Sequence, residues 1–182
     1  LASNESLAVA VPSPQGRYVP ATRVGSTIRT AGMTPRRDGQ LLMTGRVGVD
    51  VDVPQGREAA AIAVRNALVA ARSLVAPGES LRCAEMTVYI ACDSNFTALS
   101  AVADGASDVL AAELGLDGLP ARSAVGVYAL PGGSPVEIAL VAEAQLLPEE
   151  RATKERASRR GPNPPLPEEP ARNERASRRA TP

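Results

Sequence analysis

Residues 119–143 leave this chain fewer choices than any other stretch. They read Leu-Pro-Ala-Arg-Ser-Ala-Val-Gly-Val-Tyr-Ala-Leu-Pro-Gly-Gly-Ser-Pro-Val-Glu-Ile-Ala-Leu-Val-Ala-Glu. Residues 123–130 and 136–144 are rich in Val, Ile and Leu, and Pro131-Gly132-Gly133-Ser134 between them is turn chemistry. The pattern predicts two strands folded on each other as a tight hairpin. In that register Tyr128 faces Glu137 and Arg122 faces Glu143, which sets Arg122 and Glu137 about 20 Å apart at ~3.3 Å per residue. Both charges stand where strands apolar on both faces would not place them. Such charges are costly unless paired, hydrogen-bonded or used. A buried ion pair, an edge position and a functional site all remain open.

The rest of the composition narrows the chemistry. The chain of 182 residues is 44% hydrophobic, enough for one ordinary domain with a real core. Aromatics make up only 2%, so that core must be Ala, Val, Leu and Ile. There is no histidine, which removes the commonest general base and metal ligand and both His-dependent nucleophile systems. The only lysine is Lys154, near the C-terminus, so the folded part has no Schiff-base lysine. Chemistry falls to carboxylates, arginines, hydroxyls, thiols and water, with no cofactor or metal expected. The balanced formal charge argues against bulk binding of nucleic acid.

Along the chain, residues 1–15 read as a loose, proline-punctuated arm, and the absence of an initiating Met suggests a processed or truncated start. Residues 22–31 read as two short β segments bent at Gly25-Ser26, followed by a charged turn over 35–39 and a short strand over 40–44. A helix is predicted over 55–75, with Asp52 and Gln55 at capping-box spacing and Ala76-Pro77-Gly78 ending it. Residues 81–92 alternate as a strand. The alternation puts Cys83 and Cys92 on opposite faces, about 30 Å apart at ~3.3 Å per residue, so they cannot pair. A second helical region is predicted to break at Asp104-Gly105 and to restart from Ser107 as N-cap. The order β-β-α-β-α-β-β fits an α+β domain, a mixed β-sheet with two helices packed on one face. Residues 147–182 repeat Leu-Pro-Glu-Glu and Glu-Arg-Ala-Ser-Arg-Arg at a nineteen-residue shift. With only Leu147 and Leu166 as large apolar residues, this segment is expected to be a disordered tail. No basic n-region or membrane-length apolar run is present, and the unpaired thiols suit a reducing compartment. A cytoplasmic protein is expected, with no membrane partner.

Pro-Ala-Arg-Ser at 120–123, the Val-x-Val strand, Leu-Pro at 130–131 and the apolar strand carrying Glu137 resemble the signature of the RidA (YjgF) family. The likeness covers residues 16–143. It implies a RidA-like, chorismate-mutase-like domain over 16–146, assembled as a homotrimer. It also implies hydrolysis of reactive enamines and imines of amino acids, the 2-aminoacrylate type. Carried over residue by residue, Arg122 would hold the substrate carboxylate and Glu137 would position water. Tyr18, Ala31, Gly32, Ser100 and Ala124 would line the pocket. Three of these depart from the family's pattern: Ala31 stands for a Ser, Ser100 for an Asn, and Ala124 for a Cys. Asp104-Gly105-Ala106-Ser107-Asp108 is similar to an Asn-Gly-Ala-Ser-Asp element of a less familiar RidA-like branch. The alternative is a non-hydrolytic tailoring enzyme or a small-carboxylate binding protein on the same fold. RNA cleavage ranks third, because no basic stripe or aromatic stacking set is evident.

Overall fold

The computed structural model of the chain describes residues 10–159. Residues 1–9 of the expected arm and 160–182 of the expected tail lie outside the described residues. The domain begins with β1 (Ala21–Val24) and β2 (Thr27–Thr30), antiparallel about Gly25, whose φ is 62°. A two-residue hairpin follows, β3 (Arg36–Arg37) and β4 (Gln40–Leu41). It turns on Asp38 and Gly39 at φ 51° and 78°, the left-handed pair that a tight hairpin turn requires.

Helix α1 (Val53–Arg72) starts as its sequence predicts. The Asp52 carboxylate accepts from the Gln55 backbone at 2.8 Å, and the Gln55 side chain accepts from the Asp52 backbone at 2.9 Å. Strand β5 (Glu79–Ala91) is followed by helix α2 (Leu99–Leu114), β6 (Ala121–Val127) and β7 (Val136–Leu146). The main sheet runs β1-β2-β7-β5-β6, with β5 and β6 parallel and every other pair antiparallel. Met86, Val88, Ile90, Val136, Ile138, Leu140 and Ala142 form one core with Ala60, Ala63, Val64, Ala67 and Leu68 of α1 and Val102, Ala106 and Leu110 of α2. The α+β class and the two helices on one sheet face are therefore as expected.

The expected hairpin is not formed. β5 lies between β6 and β7, so Arg122 stands opposite Met86, and Glu137 opposite Tyr89. Helix α2 returns the chain alongside β5, and a helical crossover leads naturally into parallel pairing. β7 then crosses to the far side of β5, where its alternating Val136, Ile138, Leu140 and Ala142 are buried. The turn chemistry at 131–134 does make a turn, with Gly132 and Gly133 at φ 66° and 73°, but it spans a strand instead of joining neighbours.

Two further expectations fail for local reasons. A register shift between Cys83 and Glu85 leaves Ala84 as an extra residue. It reverses the alternation, so Cys83 and Cys92 both pack toward the helix-side core, and both thiols are free. Helix α2 does not break at Asp104-Gly105. Gly105 lies where α2 crosses α1, and a Cβ there would overlap the Arg57 carbonyl. Close approach of two backbones, not a helix end, is the reason for a glycine at that position.

The second compact unit begins at Pro148. Within it Pro148–Arg159 is a third helix, α3, where the sequence reading predicts none. Glu149 and Glu150 in its first turn suit the positive end of the helix dipole. Its described side chains are exposed, in keeping with the lack of apolar residues.

Gly105→Ala should lower stability by about 1–3 kcal/mol, because overpacking at the helix crossing outweighs the ~1 kcal/mol that Ala gains in helix propensity. Urea unfolding of the two proteins checks this, and a Gly105→Ala protein as stable as the parent would contradict the crossing argument.

Candidate active site

Arg122 lies near the start of the edge strand β6, on the helix side of the sheet. Its Nη1 donates to the Asp104 carboxylate at 2.8 Å and to the Ser107 hydroxyl at 2.8 Å. Asp104 and Ser107 are three residues apart on α2 and so project from one side of the helix. Asp104 also lies 3.7 Å from Nη1 of Arg57; that nitrogen donates to the Ala101 carbonyl at 2.8 Å, and Nη2 of Arg57 pairs with Asp108 at 2.6 Å. Arg122 Nε and Nη2 make no hydrogen bond among the described residues. Half of the guanidinium fork thus remains available.

Glu137 occupies the other side of the sheet. Its neighbours Val136 and Ile138 are fully buried beneath the helices, so the alternation of β7 turns Glu137 away from them. The side chain lies over Gly32, where any Cβ would collide with its carboxylate. It has no hydrogen bond or counter-ion among the described residues, and partial burial pushes its pKa up. Glu143, on the same strand face, behaves oppositely. Hydrogen bonds from Ser26 and Thr27 hold its carboxyl below the usual range.

The seven expected site residues therefore divide into two groups. Tyr18 and Gly32 line one narrow cleft with Thr34, Arg36 and Asn66, and Glu137 adjoins it through Gly32. Ala31 is next in the chain, its amide donating to the Pro20 carbonyl at 2.8 Å. Arg122 and Ala124 belong to the other group, on the helix side of β6, while Ser100 is exposed in the first turn of α2. Arg122 and Glu137 are three positions apart along β5 and two strands apart across it. This corresponds to about 14 Å between backbones at ~3.3 Å per residue and ~4.8 Å per strand. The side chains leave opposite faces of the sheet, so they do not converge within one chain.

The cleft at Tyr18 encloses about 30 Å³, room for a water or two. A larger hollow of about 310 Å³ is lined by Arg46, Tyr128, Leu130 and Ser134 and contains none of the expected residues. Sequence reasoning missed Asp104 and Ser107 as partners of Arg122. The i, i+3 spacing carried that signal, but placing a helix break between them hid it. Among the described residues no group of His, Cys, Asp or Glu could hold a metal, and no helix is long and apolar enough to cross a membrane.

A mixed sheet backed by two helices, with the half-buried Glu137 carboxylate on its other face, defines a small α+β protein of a known type. The chain belongs to the Endoribonuclease L-PSP family, also called YjgF or RidA, whose model matches residues 9–144. Protein TCP17 of Trypanosoma cruzi is 30% identical over 136 residues, covering 74% of this chain and 85% of that protein. The crystal structure of Atu1372 from Agrobacterium tumefaciens, of unknown function, is 33% identical with a TM-score of 0.66, over 73% of this chain and 86% of that one. TdcF of Escherichia coli, crystallised with bound serine, is 24% identical with a TM-score of 0.54, over 73% and 92% of the two chains. At that identity the likeness is one of fold.

The raised pKa of Glu137 predicts a stability effect with a definite sign. Between the ordinary glutamate pKa and the raised folded value, the folded state holds the proton more tightly than the unfolded one. Stability attributable to this group therefore falls as pH rises through that window. Glu137→Gln should melt higher than the parent at neutral pH, and the gain should fade as the pH drops below the ordinary glutamate range. A gain that does not depend on pH would contradict the burial argument.

Proposed function

We propose that this protein hydrolyses the imine or enamine forms of small amino acids, of the 2-aminoacrylate type, to 2-oxo acids and ammonia. The observation that carries the proposal is the uncompensated, half-buried Glu137 carboxylate seated on Gly32. A carboxylate whose pKa is raised by burial is a stronger base than an ordinary one, and can take a proton from water and return it. Water adds through oxygen to the C=N carbon while its proton passes by way of Glu137 to the nitrogen. The resulting aminoalcohol collapses, its hydroxyl proton leaves with the nitrogen as ammonia, and the carbonyl remains. Arg122 holds the substrate carboxylate with the part of its fork that Asp104 and Ser107 leave open. No cofactor or metal enters this chemistry.

Arg122 and Glu137 serve one substrate only if they come from different copies of the chain. We therefore assign the working form to a closed homo-oligomer, a trimer, with each site between neighbours. The second sheet face supports this, since it carries Val24, Val125, Ala139 and Val141 with no covering element among described residues 10–147. The bound serine in TdcF supports a small carboxylate ligand. A second reading, a non-hydrolytic tailoring enzyme or carboxylate-binding protein, draws on Ala31 and Ala124, which bring no reactive side chain. RNA cleavage is disfavoured by the balanced formal charge of the chain and by its 2% of aromatic residues, which offer little for phosphate attraction or base stacking.

Ammonia release from freshly generated 2-aminoacrylate tests the reaction. Glu137→Ala should lose about 10²- to 10⁴-fold in turnover, the usual share of general acid–base catalysis. Arg122→Ala should also be inactive, and Arg122→Lys should restore little, because a point charge does not replace a fork. When the two inactive Ala variants are dissociated, mixed and reassembled, part of the activity should return, through interfaces that join an intact Arg122 to an intact Glu137. Full activity in a species that sediments as a monomer would sink the shared site. Carboxylate binding without any ammonia release would leave the second reading.

A further inference from the structure

Asp104 is unexpected at an anion anchor. Arg122 is the only group proposed above to hold a substrate carboxylate, yet a carboxylate of the protein already sits 2.8 Å from its Nη1. The surrounding charges also cancel. Arg57 and Arg122 supply two positive charges, and Asp104 and Asp108 supply two negative ones, linked in a chain of contacts at 2.8, 3.7 and 2.6 Å. An incoming monoanion therefore meets Arg122 Nε and Nη2 in a neighbourhood with no net attraction for it.

A pure carboxylate anchor would gain from having no acid beside it. Asp104 is also not buried as a structural counter-ion would be: its side chain is 48% exposed, against 22% for Arg122. With Oδ1 on Arg122 and Oδ2 3.7 Å from Arg57, beyond hydrogen-bond distance, the carboxylate keeps exposed surface beside the Arg122 guanidinium. That arrangement offers a positive fork and a negative carboxylate side by side.

We infer that Asp104 makes this anchor selective for zwitterionic ligands, those carrying a positive nitrogen next to their carboxylate. This deepens the reading of Arg122 as the carboxylate anchor and rests on it. The ligand's carboxylate lies on the free Nε and Nη2 edge of Arg122, and its protonated amine or iminium nitrogen turns toward Asp104. Plain 2-hydroxy and 2-oxo acids are rejected because they bring the anion without the cation. For a hydrolase of imines this discrimination has a use. The protonated imine, the form most open to attack by water, is zwitterionic, whereas the 2-oxo acid product is a simple anion and would leave the site.

The test compares two probes of the same skeleton, serine and glycerate, which differ in carrying an ammonium or a hydroxyl beside the carboxylate. Binding is measured by calorimetry on the full chain and on Asp104→Asn. Asparagine retains an oxygen that accepts from Arg122 and removes only the charge, so the contact to β6 is kept. The parent should bind serine on the order of tenfold more tightly than glycerate, the scale of one charge pair at a partly exposed site. Asp104→Asn should lose that preference, with glycerate binding strengthened and serine binding weakened. A purely structural Asp104 would shift both ligands together and leave the ratio unchanged, which would overturn the inference. So would a parent protein that binds both probes equally, an outcome that leaves the Arg122 anchor standing. If neither probe binds either protein, the anchor reading fails and this inference fails with it.

Discussion

Within described residues 10–147, two helices cover one face of the five-stranded sheet and no element covers the other, and this asymmetry governs where each charged side chain can go. On the covered side a charge must bring its partner with it. Arg122 does so through Asp104 and Ser107, and Arg57 through Asp108 and the Ala101 carbonyl. On the uncovered side a charge can stand alone at the edge of water, as Glu137 does, with its pKa raised by partial burial. β5 holds the two sides in register, because it is the strand paired to both β6 and β7. Its inward row of Met86, Val88 and Ile90 is fully buried. Since that row alternates with an outward one, β6 can present Arg122 inward while β7 presents Glu137 outward.

The elements whose signals are local were legible in the sequence. The capping box at Asp52 and Gln55, the bend at Gly25 and the turn at Pro131-Gly132-Gly133 each depend on a few neighbouring residues. The features that failed are those set by distant contacts. Nothing within residues 119–143 says that an earlier strand, from before α2, will insert between its two halves. The bulge at Ala84 is a one-residue change of register against β7, invisible to a period-two reading of β5 alone. The break assigned to Asp104-Gly105 misread a tertiary glycine as a local one. In the site, Arg122 and Glu137 were legible as charges out of place, because burial cost alone marks them. Their positions on opposite sides of the sheet were not, because a hairpin register put both on a single ladder.

That misread glycine connects the packing of the helices to the electrostatics around Arg122. Asp104, Gly105, Ala106, Ser107 and Asp108 form one continuous segment of α2, and each residue has a distinct contact. Gly105 lets α2 close onto the Arg57 carbonyl, and Ala106 is fully buried in the core. This close approach brings the Arg57 side chain to Asp104 and Asp108, one turn apart on the same helix. Ser107 and Asp104 face β6 and receive Arg122. A larger residue in place of Gly105 would therefore do more than loosen a helix crossing. By moving Arg57 away from Asp104 it would leave that carboxylate to Arg122 alone and tighten the pair at the expense of the open fork. The charge balance around Arg122 is in this sense a consequence of how near two helices can come, and that distance is set by the absence of a single Cβ.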